Sequence, residues 1–180
     1  MTCFIIGCGD SAKDWFNHPH DVSIGVQDAI KFGKDTDYLI LIDSLQGFKR
    51  EPERVKLIGR SKAKILTNGD TWKSIFKNYE KLHLRPFGKY LKKGHVYSSK
   101  SSPFVALSYA FNLGATDVVL FGCDYTAHRL FYHGSRMQQY ELRNIEKICR
   151  MMAEQGTRVW VSSKESALSK FLNVWHYERL

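Results

Sequence analysis

The segment SSPFVALSYAFNLGATDVVLFGCDY, residues 101–125, carries a helix, a turn, a strand and a polar strand end in succession. Serines precede Pro103, which suits the first turn of a helix. Phe104, Leu107, Ala110 and Phe111 then recur at helical spacing. Gly114 ends the helix, Asp117–Phe121 is an apolar, β-branched run, and Gly122-Cys123-Asp124-Tyr125 follows. Residues 1–11, MTCFIIGCGDS, repeat the last part of this pattern, because the apolar run Cys3–Ile6 breaks into Gly7-Cys8-Gly9-Asp10-Ser11. In both, a buried strand ends in a glycine turn that delivers polar groups to one edge of a sheet. The carboxyl edge of an open α/β sheet is where such folds bind ligands.

Between these two segments, Val22–Val26, Tyr38–Asp43 and Ala63–Thr67 read as strands. Tyr38–Ile42 has no polar interruption beyond the tyrosine hydroxyl, as expected of a parallel strand covered on both faces. Short helices are expected over Ser11–Asn17 and Ala29–Phe32, and a longer one from Asp70 to about Leu82. Arg85–Ser102, with Pro86, Gly88, Gly94 and a run of serines, reads as loop with a short strand at His95–Tyr97, a candidate lid. After residue 125 the longest helix, Met137–Gln155, stops at Gly156. A strand at Thr157–Val161 and a closing helix at Ser166–Leu172 follow. This alternation predicts an α/β fold: one domain with a mostly parallel, Rossmann-like sheet and helices on both faces.

A chain of 180 residues with 43% hydrophobic and 25% charged content suits one soluble domain with a real core. About five apolar residues precede the first glycine turn, fewer than a signal peptide needs, and no run reaches membrane-span length. Cys3, Cys8, Cys123 and Cys149 are scattered without a C-x-x-C pair, so reduced thiols and a cytoplasmic location are expected. The formal charge of +9 is concentrated: residues 49–100 hold 15 Lys and Arg against 4 Asp and Glu, the rest of the chain 12 against 14. Trp72, Phe76, Tyr79, Phe87, Tyr90 and Tyr97 are interleaved there. The stretch reads either as a solvated face over core aromatics or as a surface for a polyanion: nucleic acid, a phosphorylated glycan or membrane phosphate. Residues of about 49–102 form a basic insert or lid region on this reading.

Gly7-x-Gly9-Asp10-Ser11 has the form of a backbone cradle for phosphate, or equally of a tight strand-to-helix turn. It lacks the third glycine of the dinucleotide fingerprint and no P-loop lysine follows. Asp43, at the end of the third strand, suits a ribose hydroxyl, a metal or a turn cap. Gln27 and Asp28 follow the second strand and face the same crevice. Ser98, Ser99, Ser101 and Ser102 precede a helix start, where hydroxyls and N–H groups suit an anion or serve as caps. Asp124 and Tyr125 are followed by His128 and His133, a set able to supply a general base and a partner that fixes its tautomer. Three ligands on one loop make no convincing metal site.

These residues resemble the bacterial sialyltransferases of the Campylobacter type and the related archaeal 6-hydroxymethylpterin pyrophosphokinase-like domains. The shared pattern is strand–Gly-x-Gly-x-Ser, then a serine-led segment, an alanine-rich helix, Leu113-Gly114, a β-branched strand and Gly122-Cys123-Asp124-Tyr125. A loop histidine, His133 in Phe131-Tyr132-His133-Gly134, a helix, a strand and a serine-containing end follow. Asp10 stands where the family usually has proline, and Gln27 lies in a region where it often has asparagine. The resemblance implies a modified Rossmann domain whose Gly7, Gly9, Asp10, Ser11, Gln27, Asp28, Ser101 and Ser102 contact a nucleotide-sugar donor. His133 would be the base, with His128 second choice and Asp124 positioning it. Tyr125 or Tyr132 would stabilise the departing phosphate, and no metal or other cofactor is required.

The expected function is therefore glycosyl transfer to a hydroxyl of an anionic acceptor, a glycan or, as in phage-type base modification, DNA. Two alternatives remain at this point. One is a Mg²⁺-dependent pyrophosphoryl or phosphoryl transferase with Asp43 or Asp124 on the metal. The other is a non-catalytic domain that binds a nucleotide or nucleic acid.

Overall fold

A computed structural model describes residues 1–48, 51–126 and 134–176. Its main sheet runs from the centre in two directions. β1 (Thr2–Ile6), β2 (Val22–Val26), β3 (Tyr38–Leu41), β4 (Lys64–Thr67) and β5 (Glu80–Lys81) step outward one way in chain order. β6 (Leu84–Pro86) and β7 (Val96–Ser98) pair with each other in a small ladder of their own. β8 (Asp117–Phe121) then returns to the far side of β1, and β9 (Arg158–Val161) and β10 (Asn173–Val174) continue in that direction. The order is β10-β9-β8-β1-β2-β3-β4-β5, and every described pairing is parallel. The α/β, Rossmann-like fold read from the sequence is the fold observed.

Alternate side chains of the central strands enter different cores. Cys3 and Ile5 of β1 pack with Ile24, Ile40, Val118 and Leu120 beneath α2 (Ser102–Asn112) and α3 (Arg136–Ala153). Phe4 and Ile6 point the other way, with Val119 and Phe121, against Ala12, Trp15 and Trp175. A third cluster of Leu39, Leu41, Ile65, Phe48, Ile58 and Trp72 covers β3 and β4 on that second face, below α1 (Pro52–Ile58). Burial on both faces is why these strands read as unbroken apolar runs.

Several elements differ from expectation. The helix predicted from Asp70 to Leu82 is one 3₁₀ turn, Asp70–Trp72, followed by the edge strand β5. Trp72 and Phe76 are drawn into the third core, and Glu80–Lys81 then pair with Leu66–Thr67, so sheet extension overrides helical propensity. Ser11–Asn17 forms two short 3₁₀ turns, Asp10–Ala12 and Trp15–Asn17, and the closing helix shrinks to Ala167–Lys170 before β10. α1 was not foreseen: it buries only Ile58 and so lacks an apolar period, although Pro52 and Glu53 are helix-start residues. Of the basic stretch, β4 and β5 belong to the main sheet, and β7 packs against α2 with β6 paired to it. Trp72, Phe76 and Tyr97 there are core residues, whereas Tyr90 is 71% exposed. All four cysteines are free, and Cys3, Cys123 and Cys149 are buried. Among the described residues, no helix is long and apolar enough to cross a membrane.

Candidate functional site

Strand order reverses between β1 and β8, and the two glycine turns recognised in the sequence meet there. Gly7 N–H donates to the Phe121 carbonyl at 2.7 Å and Gly9 N–H to the Gly122 carbonyl at 2.9 Å. A Cβ on Gly7 would stand 2.4 Å from the Gly122 oxygen, and one on Gly9 2.3 Å from Asp124 Oδ2. Gly122 itself has φ +63° and would push a Cβ to 2.8 Å from Ala12 Cβ. Backbones that close admit only glycine. The expected phosphate cradle is thus corrected in one respect: the Gly7 and Gly9 N–H groups are used to fasten the two strand ends together. Ser11 completes the clasp, accepting from Gly122 N–H at 2.8 Å and donating to Asp124 Oδ1 at 2.6 Å.

A second cluster lies one strand over, at the ends of β2 and β3. Gln27 is buried and has φ 56°, a left-handed conformation that a non-glycine residue rarely adopts. Its Nε2 donates to Asp43 Oδ2 at 2.7 Å and to Ser102 Oγ at 3.0 Å, while its buried Oε1 has no hydrogen-bond partner among the described residues. Asp43 is steadied from behind by the indole N–H of Trp72, which donates to its carbonyl at 2.9 Å. Because Ser102 accepts from Gln27, its own proton remains for a different acceptor. Gln27, Asp43 and Ser102, spread over 75 residues of chain, are brought together.

Asp28 and Asp10 have other partners. Asp28 accepts from Arg54 Nη2 at 3.0 Å and from the Cys8 thiol at 3.1 Å. Burial would raise its pKa, yet the Cys8 hydrogen bond and the Arg54 charge outweigh that and hold the carboxyl below its ordinary value. Arg54 in turn binds Glu51 and lies 4.7 Å over the Phe48 ring. Burial, and then the Asp28 charge, push the Cys8 thiol up to about 12, so it is a protonated donor rather than a nucleophile. Asp10 is exposed and pairs with Lys13 at 3.3 Å.

Tyr125 departs from its expected place beside a leaving phosphate. It is buried with φ 54°, and its phenol oxygen lies 2.6 Å from Ser101 Oγ. Ser101, expected to meet the donor, donates its proton to Glu141 Oε1 at 2.6 Å instead of capping α2. Glu141 was missed in the sequence although a signal was present: it stands in the buried row Gln138, Glu141, Ile145, Ile148, Met152 on α3. An acid on an apolar helix face calls for a polar partner. His128, Tyr132 and His133 lie outside the described residues. Among the described residues, no group of three or more His, Cys, Asp or Glu side chains is placed to hold a metal ion.

No family model matches the chain, and no curated protein matches it in sequence. Among solved structures, its fold is similar to the X-ray structure of a point mutant of the α-2,3/8-sialyltransferase CstII from Campylobacter. The TM-score is 0.57 at 13% sequence identity, over 97% of this chain and 86% of that one, which is a distant relationship of fold.

Proposed function

We propose that this chain is a glycosyltransferase moving a sugar from a nucleotide donor to a hydroxyl of an anionic glycan. The observation that carries the reading is the convergence of Gln27, Asp43 and Ser102 beside the β1–β8 switch, on a fold shared along its length with a sialyltransferase. Gln27, Asp43 and Ser102 hold the nucleotide, and Ser11 and Asp124 set the floor of the crevice. His133, with His128 as second candidate, takes the proton of the acceptor hydroxyl. The acceptor oxygen bonds to the anomeric carbon, the bond from that carbon to the phosphate oxygen breaks, and its electron pair leaves with the nucleotide phosphate. Tyr132 is the candidate donor to that phosphate, since Tyr125 is engaged with Ser101. A positioned base and a donor at the leaving oxygen suffice for this chemistry without a metal.

The test is a thermal-shift screen against CMP, UDP, GDP, ADP, their sugar conjugates, ATP and GTP, with and without Mg²⁺. A ligand at 100 times its dissociation constant stabilises by about 2.7 kcal/mol, a shift of a few degrees. A metal-independent shift with one nucleotide supports the reading and names the donor class. A shift that needs Mg²⁺ and a triphosphate moves it to phosphoryl transfer, and a flat screen sinks both. His133→Ala should abolish transfer yet bind the nucleotide nearly as tightly as the parent. Equal loss of both would remove His133 from the role of base.

A further inference from the structure

Gln138, Glu141 and Asn144 stand three residues apart on α3, a spacing that sets them in one row. Gln138 is buried and Glu141 is fully enclosed. Each reaches across to a wall of the crevice. Gln138 Nε2 donates to the Tyr125 carbonyl. Glu141 Oε2 accepts from Ser99 Oγ at 2.7 Å and Lys100 N–H at 3.1 Å, and Oε1 accepts from Ser101 Oγ at 2.6 Å. Asn144 Nδ2 donates to Ser99 Oγ at 2.8 Å.

The direction of these bonds follows from proton counting. Ser101 has one hydroxyl proton and gives it to Glu141, so Tyr125 is the donor in the 2.6 Å phenol–Ser101 contact. Ser99 likewise accepts from Asn144 and donates to Glu141. Two chains, Tyr125 to Ser101 and Asn144 to Ser99, therefore end on one carboxylate. Burial, and then the Glu141 charge, raise the Tyr125 phenol well above its usual pKa and keep it protonated.

Glu141 has no cationic side chain among its described partners, and a buried carboxylate held only by neutral donors is costly for stability; apolar residues of the same shape often serve as well or better. What the row achieves is geometric. Tyr125 sits in a strained conformation at the end of β8, gripped at its carbonyl by Gln138 and at its phenol through Ser101. The turn that leads into α2 and Ser102 is gripped by the same helix.

We propose that Glu141, supported by Gln138 and Asn144, is the positioning residue of this site. It locks the Tyr125 strand end and the Ser99–Ser102 turn in register without touching the reactants. The inference rests on the transferase reading for its consequence on rate, but its structural content does not.

The experiment compares the full chain with Glu141→Gln, which keeps the shape but sets an NH₂ group where Ser101 needs an acceptor. Melting within a few degrees of the parent, nucleotide affinity within about threefold and a transfer rate lower by tenfold or more are expected. Amide hydrogen exchange should accelerate at least tenfold over residues 99–102 and 123–126, with β1 and β2 unchanged. Ser101→Ala removes the hydroxyl that joins Tyr125 to Glu141, leaves the Ser99 and Lys100 bonds to Glu141 in place, and should reproduce the faster exchange at residues 123–126, which serves as the second variant if Glu141→Gln does not fold. Unchanged rate and exchange would overturn the proposal, as would melting, affinity and rate falling together, the mark of a merely structural role. A parent chain that neither binds nor consumes any donor overturns the transferase reading instead. The exchange measurement needs no substrate and still decides whether Glu141 holds the two walls.

Discussion

At the residue scale the site depends on three glycines with no room to spare. Gly9→Ala places a methyl 2.3 Å from Asp124 Oδ2, and Gly122→Ala adds a left-handed penalty to a 2.8 Å contact with Ala12. Each should cost about 1–3 kcal/mol, as overpacking and strain do. Gly88→Ala, with nothing within 4 Å of the added methyl, should stay within about 0.5 kcal/mol. Denaturant midpoints of the three variants check this. Asp28 offers a pH test. Its carboxyl is held below the ordinary 3.8 in the folded chain, so its contribution is present above about pH 4 and is lost as pH falls through the folded value. Asp28→Asn should therefore destabilise the protein at neutral pH, and the gap to the parent should close during acid titration. A gap that does not narrow with acid would mean that the Asp28 carboxylate, held by Cys8 and Arg54, is not its source.

At the scale of elements, burial differs sharply between the two shorter helices. α2 encloses every residue from Phe104 to Phe111, whereas α1 buries Ile58 and little else. Amide exchange should therefore rank them: α2, β1 and β8 open only near the global unfolding free energy, and α1 opens well before. Equal protection of α1 and α2 would contradict this. The same contrast explains what was legible beforehand. α2 and β8 carry a strong period and clear stop residues, and both were read to within a residue. β5 and β10 are two-residue strands whose only cause is a neighbouring strand edge, so no local pattern announces them.

For the whole molecule, the charge excess of residues 49–100 is worn on the outside. Lys56, Arg60, Lys62, Lys73, Lys77, Lys89 and Lys92 are all exposed, while Trp72, Phe76 and Tyr97 of the interleaved aromatics are buried. If the acceptor is anionic, binding of a sulfated oligosaccharide as probe should weaken steeply with salt, log K falling linearly with log salt concentration. A flat response would leave the stretch as a solvated face only. From its sequence alone, the protein's class was determined: apolar runs closed by glycine turns and alternating with helical periods permit little besides a parallel α/β sheet. The placement of Gln27, Asp43 and Asp124 was also legible, because polar residues just after buried strands lie on the carboxyl edge, and Ser102 stood out as the start of a helix. Only the tertiary structure decided which of them touch, that Gly7 and Gly9 bind a strand rather than wait for a phosphate, and that Tyr125 turns inward to Ser101 and Glu141. Those outcomes depend on contacts between segments far apart in the chain, 113 residues in the hydrogen bond of Ser11 to Asp124, and local propensity carries no record of distance in space.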